Sequence, residues 1–312
     1  MKLAFIFPGQ GSQYVGMGRE LFEKYIVVRN AFHAADAALD MPLTNMMFYG
    51  PEEHLRLTFN TQPALLAVSV AAAAVLRQRG VVPEAVAGHS LGEYSALVVA
   101  GAMGYEEALI SVRARGTYMQ EAVPVGEGSM AAVLGMDRKG IVEICQEVEE
   151  KTGEAVQAVN FNCPGQVVIA GTKKGVQAAI KALKKGGAKR ALELPVSAPF
   201  HSTLMKPAAK KLAKLLDVVK FADARVPVYA NVNAKPVQEA EAIKKLLVRQ
   251  AASPVQWEKS VKRMIKEGFD TFVEVGPGTV LSGFMKKINK DVRCYNVEDV
   301  AGLESTLNEI GK

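Results

Sequence analysis

The sequence predicts an α/β fold: a mainly parallel sheet covered by helices on both faces, with a smaller unit inserted into it. Three observations carry that expectation. Short apolar runs suited to buried strands alternate with longer helical patterns, the rhythm of a doubly covered parallel sheet. Between Gly126 and Val196 that rhythm shortens to strand, helix, strand, strand, helix, strand. Apolar residues make up 49% of the 312-residue chain and are spread along its length, enough for a large interior and too many for disorder.

Residues 3–7 are a continuous apolar run closed by Pro8-Gly9, the pattern of a buried strand running into a loop. Thr61-Gln62-Pro63 offers a capping hydroxyl with proline close behind, so a long alanine-rich helix is expected from there to Gly80. Residues 85–88 form the next short strand. Past a turn at His89-Ser90, helices are expected over 91–100 and 105–122, the second with Glu106 and Glu107 at its positive end.

The shortened stretch then gives strand 130–136, helix 138–151, strands 155–161 and 167–170, helix 174–186 and strand 189–196. This βαββαβ order is the ferredoxin-like pattern. Val125-Gly126-Glu127-Gly128 and Ser197-Ala198-Pro199 read as the two crossings. Residues 127–196 are therefore expected as a small subdomain within a large one made of 1–126 and 197–312. The large unit resumes with helix 203–218, strand 226–231, helices near 239–249 and 254–267, strand 271–275 and a final strand–helix pair.

Composition removes several functional classes. No uninterrupted apolar run reaches the roughly 18 residues that would span a bilayer, and the N-terminus lacks a signal-like core. Cys145, Cys163 and Cys294 are odd in number and scattered, which argues against a disulfide framework or a zinc site and suits a reducing cytoplasm. The net charge of +6 is modest, and its lysines sit in helix-like stretches without interleaved aromatics, so no nucleic-acid partner is expected.

The chemistry gathers at Gly88-His89-Ser90-Leu91-Gly92, a G-x-S-x-G between a strand and a helix. A tight turn there lifts the serine from the sheet edge beside free N–H groups of the helix start. A serine nucleophile needs a base, and the chain has four histidines. His33 falls in the helical pattern 30–39 and His54 in the polar stretch 51–56. His89 adjoins Ser90 and is expected to point away from it in a structural role. His201 remains, in the loop Pro199-Phe200-His201-Ser202 where the chain re-enters the large unit. Pro8-Gly9-Gln10-Gly11-Ser12-Gln13 leaves the first strand at the same sheet edge. It lacks the glycine spacing of a dinucleotide site and the lysine of a P-loop, and reads as a source of backbone donors for an oxyanion. Arg113 and Arg115 lie about 200° apart around one helix of about 3.6 residues per turn. Only one can face a given pocket, and spacing alone does not choose between them.

Taken together, several segments resemble the malonyl-CoA:acyl carrier protein transacylase family: the loop 7–13, Thr61-Gln62-Pro63-Ala64-Leu65, residues 88–97, Arg115-Gly116 with Met119-Gln120, Asn160-Phe161-Asn162 with Pro164-Gly165-Gln166, His201, Pro254-Val255-Gln256-Trp257, and Glu274-Val275-Gly276-Pro277-Gly278. They cover nearly the whole chain in the family's order. The resemblance implies an α/β-hydrolase-like large domain with an inserted ferredoxin-like subdomain, and a serine-histidine acyltransferase acting in fatty acid biosynthesis without cofactor or metal. Its substrate is malonyl-CoA and its partner a phosphopantetheinylated acyl carrier protein. It further implies Ser90 as acyl carrier, His201 as base, the N–H groups of Gln10 and Leu91 as oxyanion hole, Arg115 as clamp for the malonyl carboxylate, the main-chain carbonyl of Gln250 as orienter of His201, and Asn160 as a contact at the domain cleft. Phe200 beside the base favours malonyl over a branched methylmalonyl group. A polyketide-loading acyltransferase or a serine thioesterase shares much of this pattern.

Overall fold

β1 (Leu3–Phe7) is buried at all five positions, as its unbroken apolar run requires. The computed structural model describes residues 1–196 and 198–311, so Ser197, in the expected second crossing, lies outside the described residues. The other strands are β2 (Ala85–Gly88), β3 (Gly128–Leu134), β4 (Val156–Cys163), β5 (Gln166–Thr172), β6 (Arg190–Glu193), β7 (Val228–Tyr229), β8 (Pro236–Val237), β9 (Thr271–Val275) and β10 (Arg293–Val297).

Six of them form one sheet in the order β10-β9-β1-β2-β7-β8, parallel except for β8 at its edge. Side chains of β1 alternate between two cores, as the strand period dictates. Phe5 and Phe7 pack with the helix Thr58–Gln78, whereas Ala4 and Ile6 pack with Trp257, Val261 and Phe284 on the opposite face. The register pairs Phe7 with Gly88, so the loop after β1 and the turn after β2 emerge level at one edge.

The remaining strands form an antiparallel sheet in the order β4-β5-β3-β6, the ferredoxin-like arrangement of a βαββαβ chain. Helices Arg138–Thr152 and Lys173–Lys185 cover it, each opened by a side-chain cap, Asp137 and Thr172 respectively. Ile141, Ile169 and Leu183 belong to its own core. Strand β4 is stitched to the large sheet's layer by Phe161 N–H to Val255 O (3.0 Å) and Val255 N–H to Val159 O (2.8 Å).

Two expectations need correction, and a third needs only a qualification. The long helix starts at Thr58, not Thr61: the Thr61 hydroxyl donates back to Leu55 O at 2.6 Å and caps nothing, while Pro63 is accommodated within the helix. That helix also has the length and mean hydropathy of a membrane span, 21 residues at 1.5, because its uncharged polar residues do not offset its alanines and leucines. Its most apolar window is 83% buried inside the fold, which makes it a core helix. Finally, β7 ends at Tyr229, short of Asn231, because Asn231 turns back to bond the chain after β2.

Candidate active site

Ser90 occupies the turn from β2 into the helix Gly92–Val99, in the left-handed backbone region with φ 52°. A non-glycine residue pays for that conformation, and such strain concentrates at functional positions. Close approach explains the flanking glycines. A Cβ on Gly88 would lie 1.9 Å from the Gly92 carbonyl, and one on Gly92 would lie 2.1 Å from Phe7 O. Asn231 braces the turn from both sides, donating from Nδ2 to Gly88 O (2.6 Å) and accepting the Ser90 N–H on Oδ1 (2.7 Å).

His201 is 3% exposed, also has a positive φ of 63°, and places Nε2 2.7 Å from Ser90 Oγ. Its Nδ1 lies 2.9 Å from the main-chain oxygen of Gln250. A carbonyl can only accept, so Nδ1 carries the proton and the Nε2 lone pair faces the serine. Burial first, and the Arg115 charge second, push the imidazole down to about 3. It is therefore held in the neutral form, with Nε2 as the acceptor toward Ser90.

Arg115 is 2% exposed and resolves the choice between the two arginines. Its Nη1 donates to Gln62 Oε1 (2.8 Å) and its Nη2 to Gln250 Oε1 (2.9 Å) and Ser90 Oγ (3.2 Å). Arg113 turns the other way, toward Met41 and Asn60. Among the described residues no carboxylate forms an ion pair with Arg115, so a buried cation stands beside the Ser90 hydroxyl with only neutral acceptors.

These groups line a cavity of about 100 Å³ together with Gln10, Leu91, His89, Asn160, Met119, Met130 and Phe200. Among the described residues the main-chain N–H groups of Gln10 and Leu91 have no acceptor within the chain. His89, expected in a structural hydrogen-bonding role, makes such a bond and is also among the residues that line the cavity. It is held there by Asn162 Oδ1 at 2.8 Å from Nε2 and by packing near Trp257, because the second sheet closes over the strand end. Asn160 Oδ1 is buried without a partner. No cluster of three or more His, Cys, Asp or Glu side chains able to hold a metal occurs among the described residues.

Sequence reasoning missed three members of the network: Asn231, Gln62 and Glu93. Gln62 and Glu93 lie inside motif runs but carried no assigned role, and Asn231 was read as a strand end. Their contacts to Arg115, Gly88, Ser90 and one another, and that of Glu93 to Gln250, span 53 to 157 residues of chain, a separation that periodicity does not reach.

Comparison with known proteins places this geometry in context. Residues 4–306 match the acyl transferase domain family. The malonyl CoA-acyl carrier protein transacylase of Bacillus subtilis is 49% identical over 309 residues, covering 99% of this chain and 97% of that protein. The crystal structure of an acyl-carrier-protein S-malonyltransferase from Burkholderia pseudomallei matches with a TM-score of 0.96 at 47% identity, over 99% of this chain and 100% of that one. A malonyl-transacylase solved in complex with its type II polyketide acyl-carrier protein matches at 0.97 and 46% identity, again over 99% and 100%.

Proposed function

The chain belongs to the malonyl-CoA:acyl carrier protein transacylase family, and we propose that it moves malonyl from coenzyme A to a carrier-protein thiol through an ester on Ser90. The observation that carries this reading is the 2.7 Å contact between Ser90 Oγ and His201 Nε2, with a buried guanidinium 3.2 Å from the same oxygen. An acyl group with a free carboxylate needs such a cation; a simple ester does not.

In the first half-reaction Ser90 Oγ attacks the thioester carbon as His201 Nε2 takes the hydroxyl proton. The oxyanion is held by the N–H groups of Gln10, in the loop after β1, and Leu91, at the start of the helix Gly92–Val99, both free to donate. Collapse expels the coenzyme A thiolate, which recovers the proton from His201. In the second, the pantetheine thiol gives its proton to His201 and attacks the ester; the Ser90 alkoxide leaves and is reprotonated. Arg115 binds the malonyl carboxylate in both halves, His89 and Asn160 line its pocket, and Gln250 O keeps the imidazole tautomer constant. Residues 127–196 act as an inserted subdomain that closes the cleft. A reducing cytoplasm suits the three free cysteines.

Intact-mass measurement after mixing with malonyl-CoA, acetyl-CoA and methylmalonyl-CoA separately tests the reading. A single malonyl adduct that vanishes in Ser90→Ala is expected; an adduct that persists there refutes it. The polyketide complex among the similar structures favours a second carrier, a polyketide acyl-carrier protein. Parallel transfer assays with fatty acid and polyketide carriers separate the two.

A further inference from the structure

We propose that Glu93 is a positioning residue for malonyl recognition, setting the place of Arg115 through the side-chain amide of Gln250. The inference rests on the assignment of Arg115 to the malonyl carboxylate. Glu93 lies three residues after the serine and is 3% exposed. Its Oε2 accepts from Asn231 N–H (2.9 Å) and from Gln250 Nε2 (3.1 Å). The opposite end of that amide, Gln250 Oε1, accepts from Arg115 Nη2 at 2.9 Å.

A primary amide has one donor end and one acceptor end. With the carboxyl on the nitrogen side, the oxygen must face the guanidinium. Turned over, the amide would set its NH₂ against the Arg115 donors and its oxygen against the Glu93 carboxyl, two repulsive contacts in a buried site. Gln250 Nε2 also reaches Ser90 O (2.8 Å) and Asn231 Oδ1 (3.4 Å). Glu93 Oε2 also accepts the Asn231 main-chain N–H, which commits it as an acceptor and so resists the reversed orientation of the amide.

The test is kcat/KM for labelling of Ser90 by malonyl-CoA and by acetyl-CoA in wild type, Glu93→Gln and Glu93→Leu, each with Arg115 intact and as Arg115→Ala. With Arg115 intact, Glu93→Leu should lower the malonyl-to-acetyl ratio at least about tenfold, chiefly through KM for malonyl-CoA, the worth of one hydrogen bond to a charged group. Glu93→Gln keeps an oxygen for Gln250 and should recover most of the ratio. In the Arg115→Ala background Glu93→Leu should leave the ratio unchanged. Equal losses for both substrates, or a fall in ratio that persists without Arg115, would overturn the proposal in favour of a structural role. If Glu93→Leu does not fold, Glu93→Asp withdraws the acceptor by one methylene: a lowered ratio supports the proposal and an unchanged one overturns it. A wild type without malonyl preference, or an Arg115→Ala that retains it, would defeat the Arg115 assignment itself, whereas an inert Glu93→Leu beside a defective Arg115→Ala defeats only the role of Glu93.

Discussion

Replacing Arg115 by alanine removes the cation that the malonyl carboxylate is assigned to meet. A fork of two charge-assisted hydrogen bonds, at roughly 1.5–3 kcal/mol each, amounts to about 3–6 kcal/mol. That corresponds to a fall of about 10²–10⁴ in kcat/KM for malonyl-CoA relative to acetyl-CoA. The substitution also frees two buried acceptors, Gln62 Oε1 and Gln250 Oε1. Water entering the vacated space offsets part of their cost, so a stability loss of about 2 kcal/mol is expected and the fold should survive. Loss of the Arg115 charge removes the second-largest influence holding down the His201 imidazole, whose titration should move back up. Arg115→Lys should recover little, since an ammonium cannot present two parallel donors in one plane. The assay is the malonyl-to-acetyl ratio of kcat/KM in wild type and both variants, with thermal unfolding as a control. A ratio unchanged in a folded Arg115→Ala would refute the reasoning.

His201→Ala should slow Ser90 acylation by about 10²–10⁴ in single-turnover measurements, while His89→Ala is milder; the reverse ranking would mean the wrong histidine carries the proton. Gly92→Ala forces a Cβ to 2.1 Å from Phe7 O and should cost at least about 3 kcal/mol of stability in denaturant unfolding. Phe200→Ser enlarges the cavity wall and should raise methylmalonyl labelling relative to malonyl, read by intact mass. For stability against pH, the depressed His201 contributes fully above its unfolded 6.5 and loses that contribution as pH falls toward about 3. Burial raises the Glu93 carboxyl from 4.5 to about 7, so its contribution is present below 4.5 and lost as pH rises through 7. The two slopes oppose each other between 4.5 and 6.5. Glu93→Gln should therefore unfold more readily on acidification across that window, and a profile parallel to wild type would contradict the pairing.

What was legible beforehand follows the range of the signal. Strand β1, the helix Tyr105–Glu121 and the βαββαβ order rest on periodicity within one segment, and there the expected elements and the folded ones coincide within a few residues. The start of the helix Thr58–Gln78 failed because Thr61 looked like a cap but bonds Leu55 O, a choice made by the preceding turn rather than by the local pattern. At the site, the meeting of Ser90 and His201 was foreseeable because a G-x-S-x-G turn and a loop histidine at the re-entry into the large unit are local sequence signals. The brace at Asn231 and the hub at Gln250 connect segments far apart in sequence, and only the folded chain shows which ends of their amides are taken. Arg113 and Arg115 are the sharpest case, since spacing sets them on opposing faces without saying which face looks inward.

The cavity beside Ser90 measures about 100 Å³, enough for a few waters and too little to enclose a nucleotide or a second protein. On the proposed scheme the acyl group lodges there, and the thiol that brings it and the thiol that takes it away reach the same serine in turn. Donor and acceptor then exclude each other from the same threshold, and the enzyme's memory of the first visitor is the ester left behind. On the same scheme, free coenzyme A competes with the unacylated, phosphopantetheinylated carrier for the ester on Ser90, so the direction of flow follows the relative supply of the two thiols and of their malonyl thioesters.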